Sequence, residues 1–251
     1  MKLVSIIVIS HNFEDYIEEA LESISNQTYN EIEIIVVDDL SSDSTYNKII
    51  EFSKKDSRMK IFQNKENKGK AKSVNFALKK VKGDFIIQFD GDDIMPLDRI
   101  KKQLKFMQNH PEIDMSYGNM ILFEKNKKNK TYIGVEFRKS PLEIMKSQMN
   151  NESLKNNSTC KILDSKKFIP GTSVMIRKKV FDSGIKMDGK VWFATDYDLW
   201  LQIIGAGFKI KKAPVIGLKY RLHPNQMSNN REKDKERRYI FNKLKSGKYF
   251  K

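Results

Sequence analysis

The sequence predicts an α/β fold with a mostly parallel central sheet that is flanked by helices. In the first 110 residues, short runs of consecutive apolar residues alternate with segments whose apolar residues recur at helical spacing. Strands that are apolar throughout are typical of parallel sheets covered on both faces, and their alternation with helices indicates strand–helix–strand units. The chain of 251 residues is also long enough to bury a full core. We therefore expect a single domain made of two halves.

The first half contains four predicted strands, each followed by a predicted helix. The apolar runs place the strands at residues 3–9, 32–37, 59–62 and 85–89. Three helices follow from apolar residues at helical spacing, namely Ile17, Ala20, Leu21 and Ile24, then Ile49, Ile50 and Phe52, then Val74, Ala77, Leu78 and Val81. Residues 41–45 supply capping side chains for the second helix, and residues 67–69 form a turn before the third. Pro96 is expected to open the fourth helix, whose apolar face would carry Leu97, Ile100, Leu104 and Met107.

The second half gives a less regular pattern. Its clearer elements are strands predicted at residues 115–123 and 173–177, and helices at 142–149 and 196–206. Two short strands are expected on either side of Pro214 within residues 209–222. Residues 126–130 are predicted as a basic loop, and the Asn-rich stretch after residue 149 as a mobile segment.

The composition is that of a folded protein outside the membrane interior. Hydrophobic residues make up 39% of the chain and charged residues 31%, which is typical of globular proteins and not of disordered chains. No apolar run approaches the roughly 20 residues that cross a bilayer, and the run at residues 3–9 is too short for a secretory signal. We therefore expect a cytoplasmic protein, and the single Cys160 is expected to be a free, inert thiol.

The net charge of +15 favours a polyanionic partner, which would be a nucleic acid, an anionic membrane surface or a phosphate-rich substrate. A Lys- and Asn-rich surface that is simply solvated explains part of this excess. The domain is expected at residues 1–225, with its halves at 1–110 and 111–225, followed by a basic tail at 226–251. The tail predicts a charged helix at 231–245, interleaved with Tyr239, Ile240, Phe241 and Leu244. Its pattern leaves two locations open, an anionic membrane surface or the body of this or a partner subunit.

Three polar clusters follow predicted strands directly. They are Ser10-His11-Asn12, Asp38-Asp39 and the segment from Asp90 to Asp93. Ligands of open α/β sheets bind at the carboxyl ends of the strands, near the switch in strand order. The sequence therefore predicts that these clusters converge on one ligand site.

The spacing of Asp90 and Asp92 indicates a metal-assisted site. In an extended segment these two carboxylates point the same way, and oxygen ligands suit Mg²⁺ or Mn²⁺. A hydrated acidic turn is the alternative, but the position after a buried strand and opposite two other polar strand ends favours the metal. The phosphate-loop and dinucleotide glycine motifs are both missing. A mononucleotide ligand held by carboxylates and a cation is therefore predicted.

Six segments in this order resemble the family 2 glycosyltransferases with the GT-A fold, which is Rossmann-like. They are VSIIV with SHN at 4–12, ALESI with NQTY at 20–29, EIIVVDD with SSDST at 33–45, FDGDD at 89–93, DYDLW at 196–200 and YRLHP at 220–224. The resemblance covers roughly residues 3–225. It implies a donor-binding first half and an acceptor-binding second half.

The resemblance implies roles by position. Residues expected to bind a nucleotide-sugar donor are Ser10, His11, Asn12, Asp39, Asp90, Gly91 and Asp92. Those expected beside a Mn²⁺ or Mg²⁺ ion are Asp92, Asp90 and His223, and Asp196 matches the catalytic base. A carboxylate that opens a helix can be aimed at a sugar hydroxyl, and the helix dipole stabilises its charge. Without the other motifs, an ordinary helix N-cap would be the preferred interpretation of Asp196.

On the acceptor side we expect Trp192 and Asp198 to contact the acceptor, whereas Trp200 is expected in the core. Two departures from the family pattern matter. Thr195 stands where the family often has Glu, so the surroundings of the base differ. The processive signature Q-x-x-R-W does not follow Trp200, which favours transfer of one sugar at a time.

The resemblance implies an inverting transfer of a hexosyl or N-acetylhexosaminyl group from a UDP-sugar. The acceptor would be a hydroxyl of a glycan or lipid-linked saccharide at the inner face of the cell membrane. Two alternatives stay open. A basic nucleic-acid-binding module would explain the charge and the aromatic residues among the cations at 239–250. A relative that binds sugar nucleotides without turnover is the other. We expect no nucleic-acid partner, since the carboxylates at the strand ends would repel phosphates. A homo-oligomer is compatible with the sequence.

Overall fold

The computed structural model describes residues 1–124, 129–133, 141–149, 169–224, 226 and 233–250. The predicted basic loop, at its residues 126–128, and the Asn-rich stretch at 150–168 with Cys160 lie outside the described residues.

The parallel half of the sheet follows the prediction closely. Its strands are β1 (Val4–Ser10), β2 (Ile32–Asp38), β3 (Met59–Gln63) and β4 (Phe85–Asp90), in the spatial order β3-β2-β1-β4. Helices α1 (Ile17–Ser25), α2 (Thr45–Ser53) and α3 (Lys70–Leu78) connect them. Each of β1, β2 and β4 runs one residue further than predicted and so ends on a polar side chain of a predicted cluster.

The second half of the chain extends the same sheet. Strand β7 (Val174–Arg177) is antiparallel to β4 and to β5 (Met115–Phe123), and β5 also pairs with β6 (Lys130–Tyr132) and β8 (Ile210–Arg221). A 3₁₀ turn at Gly171–Ser173 leads into β7. The remaining helices are α4 (Arg99–Asn109), α5 (Pro141–Met149), α6 (Lys178–Asp182), α7 (Thr195–Gly205) and α8 (Lys233–Lys245).

Helices cover both faces of the sheet, as predicted. On one face, alternate residues of β1, β2 and β4 pack against α1, α2 and α4. On the other face, the intervening strand residues pack against α3 and α7. Trp200 of α7 is 1% exposed within this second layer, which confirms its predicted place in the core. Because both faces are buried, β1, β2 and β4 are apolar at most positions, and the α/β prediction is confirmed.

Helix α4 begins at Arg99 and not at Pro96 as predicted. The carbonyl groups of Pro96 and Leu97 accept hydrogen bonds from the Gln27 side chain and the Thr28 backbone, so these residues are held outside the helix. Leu97 is 60% exposed and does not belong to the apolar face to which it was assigned. Residue spacing alone could not reveal these contacts, because Gln27 and Thr28 lie about 70 residues earlier in the chain.

Strand β8 is one continuous strand, whereas two short strands were predicted. Its pairing with β5 changes register between Lys212 and Ile216, and Pro214 lies inside that irregularity. Proline has no N–H to donate, so a bulge is where a strand can hold one. Strand β6 was not predicted, and its first residue, Lys130, is the last residue of what was assigned as a basic loop.

The C-terminal helix α8 packs on the body of the protein. Ile240 and Leu244 are buried with Leu201 and Ile204 of α7. Of the two locations that the tail pattern left open, packing on the body is therefore the one observed, and these apolar side chains cannot rest on a membrane. Among the described residues, no helix combines the length and apolar character needed to cross a bilayer.

Candidate active site

The carboxyl ends of three parallel strands meet at one edge of the sheet. Ser10 at the end of β1 pairs in register with Asp38 at the end of β2, and Ile9 pairs with Asp90 at the end of β4. The predicted convergence of the three polar clusters is therefore confirmed.

Asp90, Asp92 and Asp93 form an acidic cluster, with one carboxylate oxygen of each within 4.8 Å of the others. The sequence predicted Asp90 and Asp92 as partners from strand alternation, but that reason was wrong. The strand ends at Asp90, and residues 91–92 form a turn that brings Asp93 into the cluster as well. Gly91 leaves room for the Ile17 side chain beside this turn, since a Cβ there would lie 2.9 Å from Ile17 Cδ1.

The acidic cluster carries more negative charge than the protein compensates. Burial raises the pKa of Asp90 to about 6, with attraction by Lys70 opposed by repulsion from Asp92 and Asp196. Burial, followed by repulsion from Asp92 and Asp90, raises the pKa of Asp93 well above its ordinary value. A divalent cation would relieve this repulsion, and an all-oxygen donor set fits Mg²⁺ or Mn²⁺.

His223 lies beside the acidic cluster, as the resemblance implied. Its Nε2 lies 3.0 Å from Asp92 Oδ2, and its ring packs at 4.6 Å from the ring of Tyr16. Its Nδ1 is buried and has no hydrogen-bond partner among the described residues. His223 therefore orients Asp92 directly, in addition to lying where an ion would bind.

Lys70 is a site residue that the sequence analysis missed. Its Nζ lies 2.8 Å from Asp90 Oδ2 and 3.7 Å from Asp196 Oδ1, so it bridges the acidic cluster and the predicted base. Burial lowers the pKa of Lys70, but attraction by Asp196 and Asp90 outweighs burial and raises the pKa above its ordinary value. One signal was available in the sequence. A lysine in the first turn of α3 opposes the helix dipole, which suggests that another group holds it there.

Asp196 lies in the first turn of α7 and faces the same edge of the sheet. It is not the helix N-cap, because that position belongs to Ala194. Gln88 at the end of β4 donates from Nε2 to Asp196 Oδ1 over 3.4 Å. Gly171 leaves room on the other side, since a Cβ there would lie 1.8 Å from Asp196 Oδ2. The Asp196 carboxylate is thus held between Lys70, Gln88 and the Gly171 backbone.

The predicted donor-binding residues of the first two clusters fasten the loops around this edge. Asp39 accepts hydrogen bonds from the backbone N–H groups of Lys68 and Gly69, at 2.9 and 2.8 Å. His11 Nδ1 lies 2.9 Å from the Asp39 carbonyl oxygen, and Asn12 Oδ1 accepts a hydrogen bond from the Ser42 backbone. Their contacts with a ligand remain a prediction.

Ser10 Oγ differs from these groups. It is fully buried at the end of β1 and has no hydrogen-bond partner among the described residues. An unsatisfied buried hydroxyl is costly, so this group is compatible with a hydrogen bond to a bound ligand.

The structure exposes one of the two predicted acceptor-binding residues and buries the other. Trp192 is 39% exposed, and its ring lies against Gly69, where an added Cβ would approach Trp192 Cζ3 to 2.7 Å. Asp198 is fully buried and accepts hydrogen bonds from Lys243 Nζ and the Tyr249 hydroxyl. The assignment of Asp198 to the acceptor was therefore wrong. Two residues along a helix turn the side chain to the far side of α7.

Comparison with known proteins identifies the family of the chain. Residues 5–184 match the model of the family described as Glycosyl transferase family 2. The chain is 34% identical over 234 residues to UDP-Glc:alpha-D-GlcNAc-diphosphoundecaprenol beta-1,3-glucosyltransferase WfaP of Escherichia coli, covering 93% of this chain and 83% of that protein.

Two solved structures share the fold. The structure of S. aureus TarS 1-349 in complex with UDP-GlcNAc matches with a TM-score of 0.70 and 23% identity, over 95% of this chain and 65% of that chain. Mannosyltransferase PcManGT from Pyrobaculum calidifontis, in complex with GDP-Man and Mn2+, matches with a TM-score of 0.61 and 18% identity, over 86% of this chain and 55% of that chain. The chain thus spans less than two thirds of either solved chain. From its sequence and its fold, this chain belongs to glycosyl transferase family 2.

Proposed function

We propose that the protein is a metal-dependent, inverting glycosyltransferase that moves one sugar at a time from a nucleotide-sugar donor to a hydroxyl group. One observation carries this proposal. At the carboxyl edge of the sheet, one ammonium group joins the acidic cluster to Asp196, because Lys70 Nζ lies 2.8 Å from Asp90 Oδ2 and 3.7 Å from Asp196 Oδ1. That arrangement suits a reaction in which a leaving diphosphate and an attacking hydroxyl approach one sugar from two sides.

The donor is a UDP-sugar, from which a hexosyl or N-acetylhexosaminyl group is transferred. The name of the WfaP relative specifies UDP-Glc, and the TarS structure contains UDP-GlcNAc. The nucleotide is bound by residues at the carboxyl ends of β1, β2 and β4, namely Ser10, His11, Asn12, Asp39, Asp90, Gly91 and Asp92. The Ser10 hydroxyl has no hydrogen-bond partner among the described residues and would bind a polar group of the donor.

Mg²⁺ or Mn²⁺ would be held by Asp90, Asp92 and Asp93, with His223 supporting Asp92. When bound, such an ion neutralises the charge that develops on a leaving diphosphate. The Mn2+ ion in the PcManGT complex supports this assignment. The protein supplies these ligands from the last residue of β4 and the turn that follows it.

Asp196 is the general base. It accepts the proton of the acceptor hydroxyl, whose oxygen then forms a bond to the anomeric carbon while the bond from that carbon to the diphosphate oxygen breaks. Attack from the side opposite the leaving group inverts the anomeric configuration. Lys70 holds the carboxylate in place through its charge, and Gln88 does so through a hydrogen bond.

The acceptor is a glycan or lipid-linked saccharide at the inner face of the cell membrane. The WfaP relative is named for a diphosphoundecaprenol-linked acceptor. A net charge of +15 supports peripheral contact with anionic lipids, through surface cations and not through the covered apolar face of α8.

The test is a donor panel with Mn²⁺, containing UDP-Glc, UDP-GlcNAc and GDP-Man, with release of nucleoside diphosphate as the readout. A diphosphoundecaprenol-linked saccharide is then added, and the transferred sugar is detected by mass spectrometry. We expect release from a UDP-sugar and transfer to the saccharide. Metal-dependent UDP binding without turnover would indicate a silent relative. Salt-sensitive binding to random oligonucleotides, without UDP binding, would favour the nucleic-acid alternative.

Gly171→Ala is expected to lower turnover by about 10²-fold, the scale of a displacement of about 1 Å at a reacting group. The added Cβ would occupy the position of Asp196 Oδ2 and push that carboxylate away from the acceptor. UDP affinity should stay near the parent value, because the acidic cluster is not touched. The matched control is Gly189→Ala, whose Cβ would meet only the flexible Lys72 side chain at 3.4 Å. Equal turnover of both variants would contradict the assigned position of Asp196.

A further inference from the structure

The segment that leads into α7 is held by a side chain that lies 42 to 44 residues further along the chain. The Glu236 carboxylate on α8 accepts hydrogen bonds from three consecutive backbone N–H groups, those of Trp192, Phe193 and Ala194, at 2.7, 2.8 and 3.0 Å. These residues precede the first turn of α7, where backbone N–H groups lack helical partners and the dipole favours a negative charge. α7 has no side-chain cap of its own at Ala194.

A second set of contacts joins the first turn of α7 to α8 and to the residues that follow α8. The buried Asp198 carboxylate accepts hydrogen bonds from Lys243 Nζ on α8 and from the Tyr249 hydroxyl just after it. Gly205 at the end of α7 allows this close approach, since a Cβ there would lie 2.2 Å from the Tyr249 carbonyl oxygen. The contacts explain why Asp198 is buried. Asp198 holds α8 against α7 and does not face the site at the carboxyl edge of the sheet.

Trp192 begins the segment that Glu236 holds, and Asp196 follows the end of that segment by two residues. Trp192 lies over Gly69, next to Lys70, and Asp196 lies 3.7 Å from the ammonium group of Lys70. Both side chains therefore owe their positions to a segment whose backbone is fixed by α8.

We propose that Glu236 is a positioning residue for the acceptor side of the site, and that α8 is a required part of that site. Glu236 sets the backbone of residues 192–194 and thereby the places of the Trp192 ring and the Asp196 carboxylate. The catalytic consequence rests on the proposed function, whereas the effect on the Trp192 ring does not.

Glu236→Gln separates this role from simple packing. The amide keeps the size of the side chain, but it has only one acceptor oxygen for three N–H groups, and its own N–H donors would face the donors of the backbone. We expect transfer to acceptor to fall by about 10- to 100-fold. UDP affinity with Mn²⁺ should stay within about twofold of the parent value, because Asp90, Asp92 and Asp93 are not displaced.

The two tryptophans of the chain provide a readout that needs no activity. Trp200 is 1% exposed and Trp192 is 39% exposed, so acrylamide quenching of the fluorescence reports mainly on Trp192. In Glu236→Gln the quenching constant should roughly double as the ring leaves Gly69 and becomes fully accessible. Trp192→Phe should abolish the quenchable signal, which assigns it. Lys235→Gln, an exposed neighbour on the same helix, is the matched control and should behave as the parent.

The outcomes are distinct. Parent-like turnover and quenching in Glu236→Gln, with only a lower melting temperature, would overturn the proposal and leave Glu236 a stabilising contact. If the parent protein itself transfers no sugar, the proposed function is overturned. Increased quenching in Glu236→Gln would then still support the role of Glu236 in positioning Trp192. If Glu236→Gln does not fold, Glu236→Asp retains the charge but is one methylene shorter. Reduced transfer with parent-like UDP affinity in that variant supports the proposal, and parent-like transfer overturns it.

Discussion

Replacing Asp196 by Asn is expected to lower turnover to acceptor by about 10²–10⁴-fold, the usual effect of losing a positioned general base. The amide keeps the size of the side chain and an oxygen that can accept the hydrogen bond from Gln88, but it cannot take a proton from a sugar hydroxyl. Affinity for UDP with Mn²⁺ should stay near the parent value, because Asp196 is not part of the acidic cluster. Rates are measured at saturating donor and acceptor.

The control is Asp182→Asn, an exposed carboxylate that pairs with Lys178 at the opposite edge of the sheet. It makes the same chemical change far from the site and should transfer sugar at the parent rate. A near-parent rate for Asp196→Asn would remove Asp196 from the role of base. Asp198, two residues further on, could not replace it, because it is fully buried and bonded to Lys243 and Tyr249.

Replacing Asp92 by Ala is expected to weaken donor binding by about 10²-fold, or roughly 3 kcal/mol. The change removes one of the three carboxylates that would hold the cation, and it leaves Asp90 and Asp93 to face the donor diphosphate with their charge poorly compensated. Calorimetric titration with UDP, with Mn²⁺ and with EDTA, measures the effect. Asp98→Ala, which removes a half-exposed carboxylate six residues further along, should bind as the parent does.

Equal UDP affinity in Mn²⁺ and in EDTA would refute the metal-dependent part of the account. The contrast between the two variants is also informative. Asp92→Ala should fail to hold the donor, whereas Asp196→Asn should hold it and fail to use it. If both substitutions affect only donor binding, Asp196 belongs to the donor-binding part of the site.

The parallel half of the fold could be predicted because its signal is local. Strands buried on both faces are apolar at most positions, and the helices that cover them show helical spacing, so β1, β2, β4 and α1 to α3 follow from short windows of sequence. The site at the strand ends followed from the same rule, since parallel strands end at one edge.

The errors arise where contacts join residues that are distant in the chain. Hydrogen bonds from Gln27 and Thr28 hold residues 96 and 97 outside α4, so the helix begins later than predicted. A hydrogen bond from Lys243 holds Asp198 away from the site. Neither contact leaves a trace in the spacing of nearby residues. Lys70 was missed for a related reason, because its two carboxylate partners belong to β4 and α7.

Asp93 shows a different limit. Alternation along a strand assigns Asp90 and Asp92 to one side and Asp93 to the other, which holds only while the chain stays extended. The turn at residues 91–92 breaks the alternation and gathers all three carboxylates. A glycine among acidic residues at a strand end is the one local signal of such a turn.

The most direct test of the central claim is a crystal structure of the protein with Mn²⁺ and UDP, in which the anomalous signal locates the ion. We predict an anomalous peak in contact with Asp92 and its neighbours in the acidic cluster, with the UDP diphosphate bound to the same ion and the Asp196 carboxylate facing the space beyond the β-phosphate. Such a result would place the donor at the carboxyl edge of β1, β2 and β4. UDP bound elsewhere, or an ion peak away from Asp90, Asp92 and Asp93, would contradict the account.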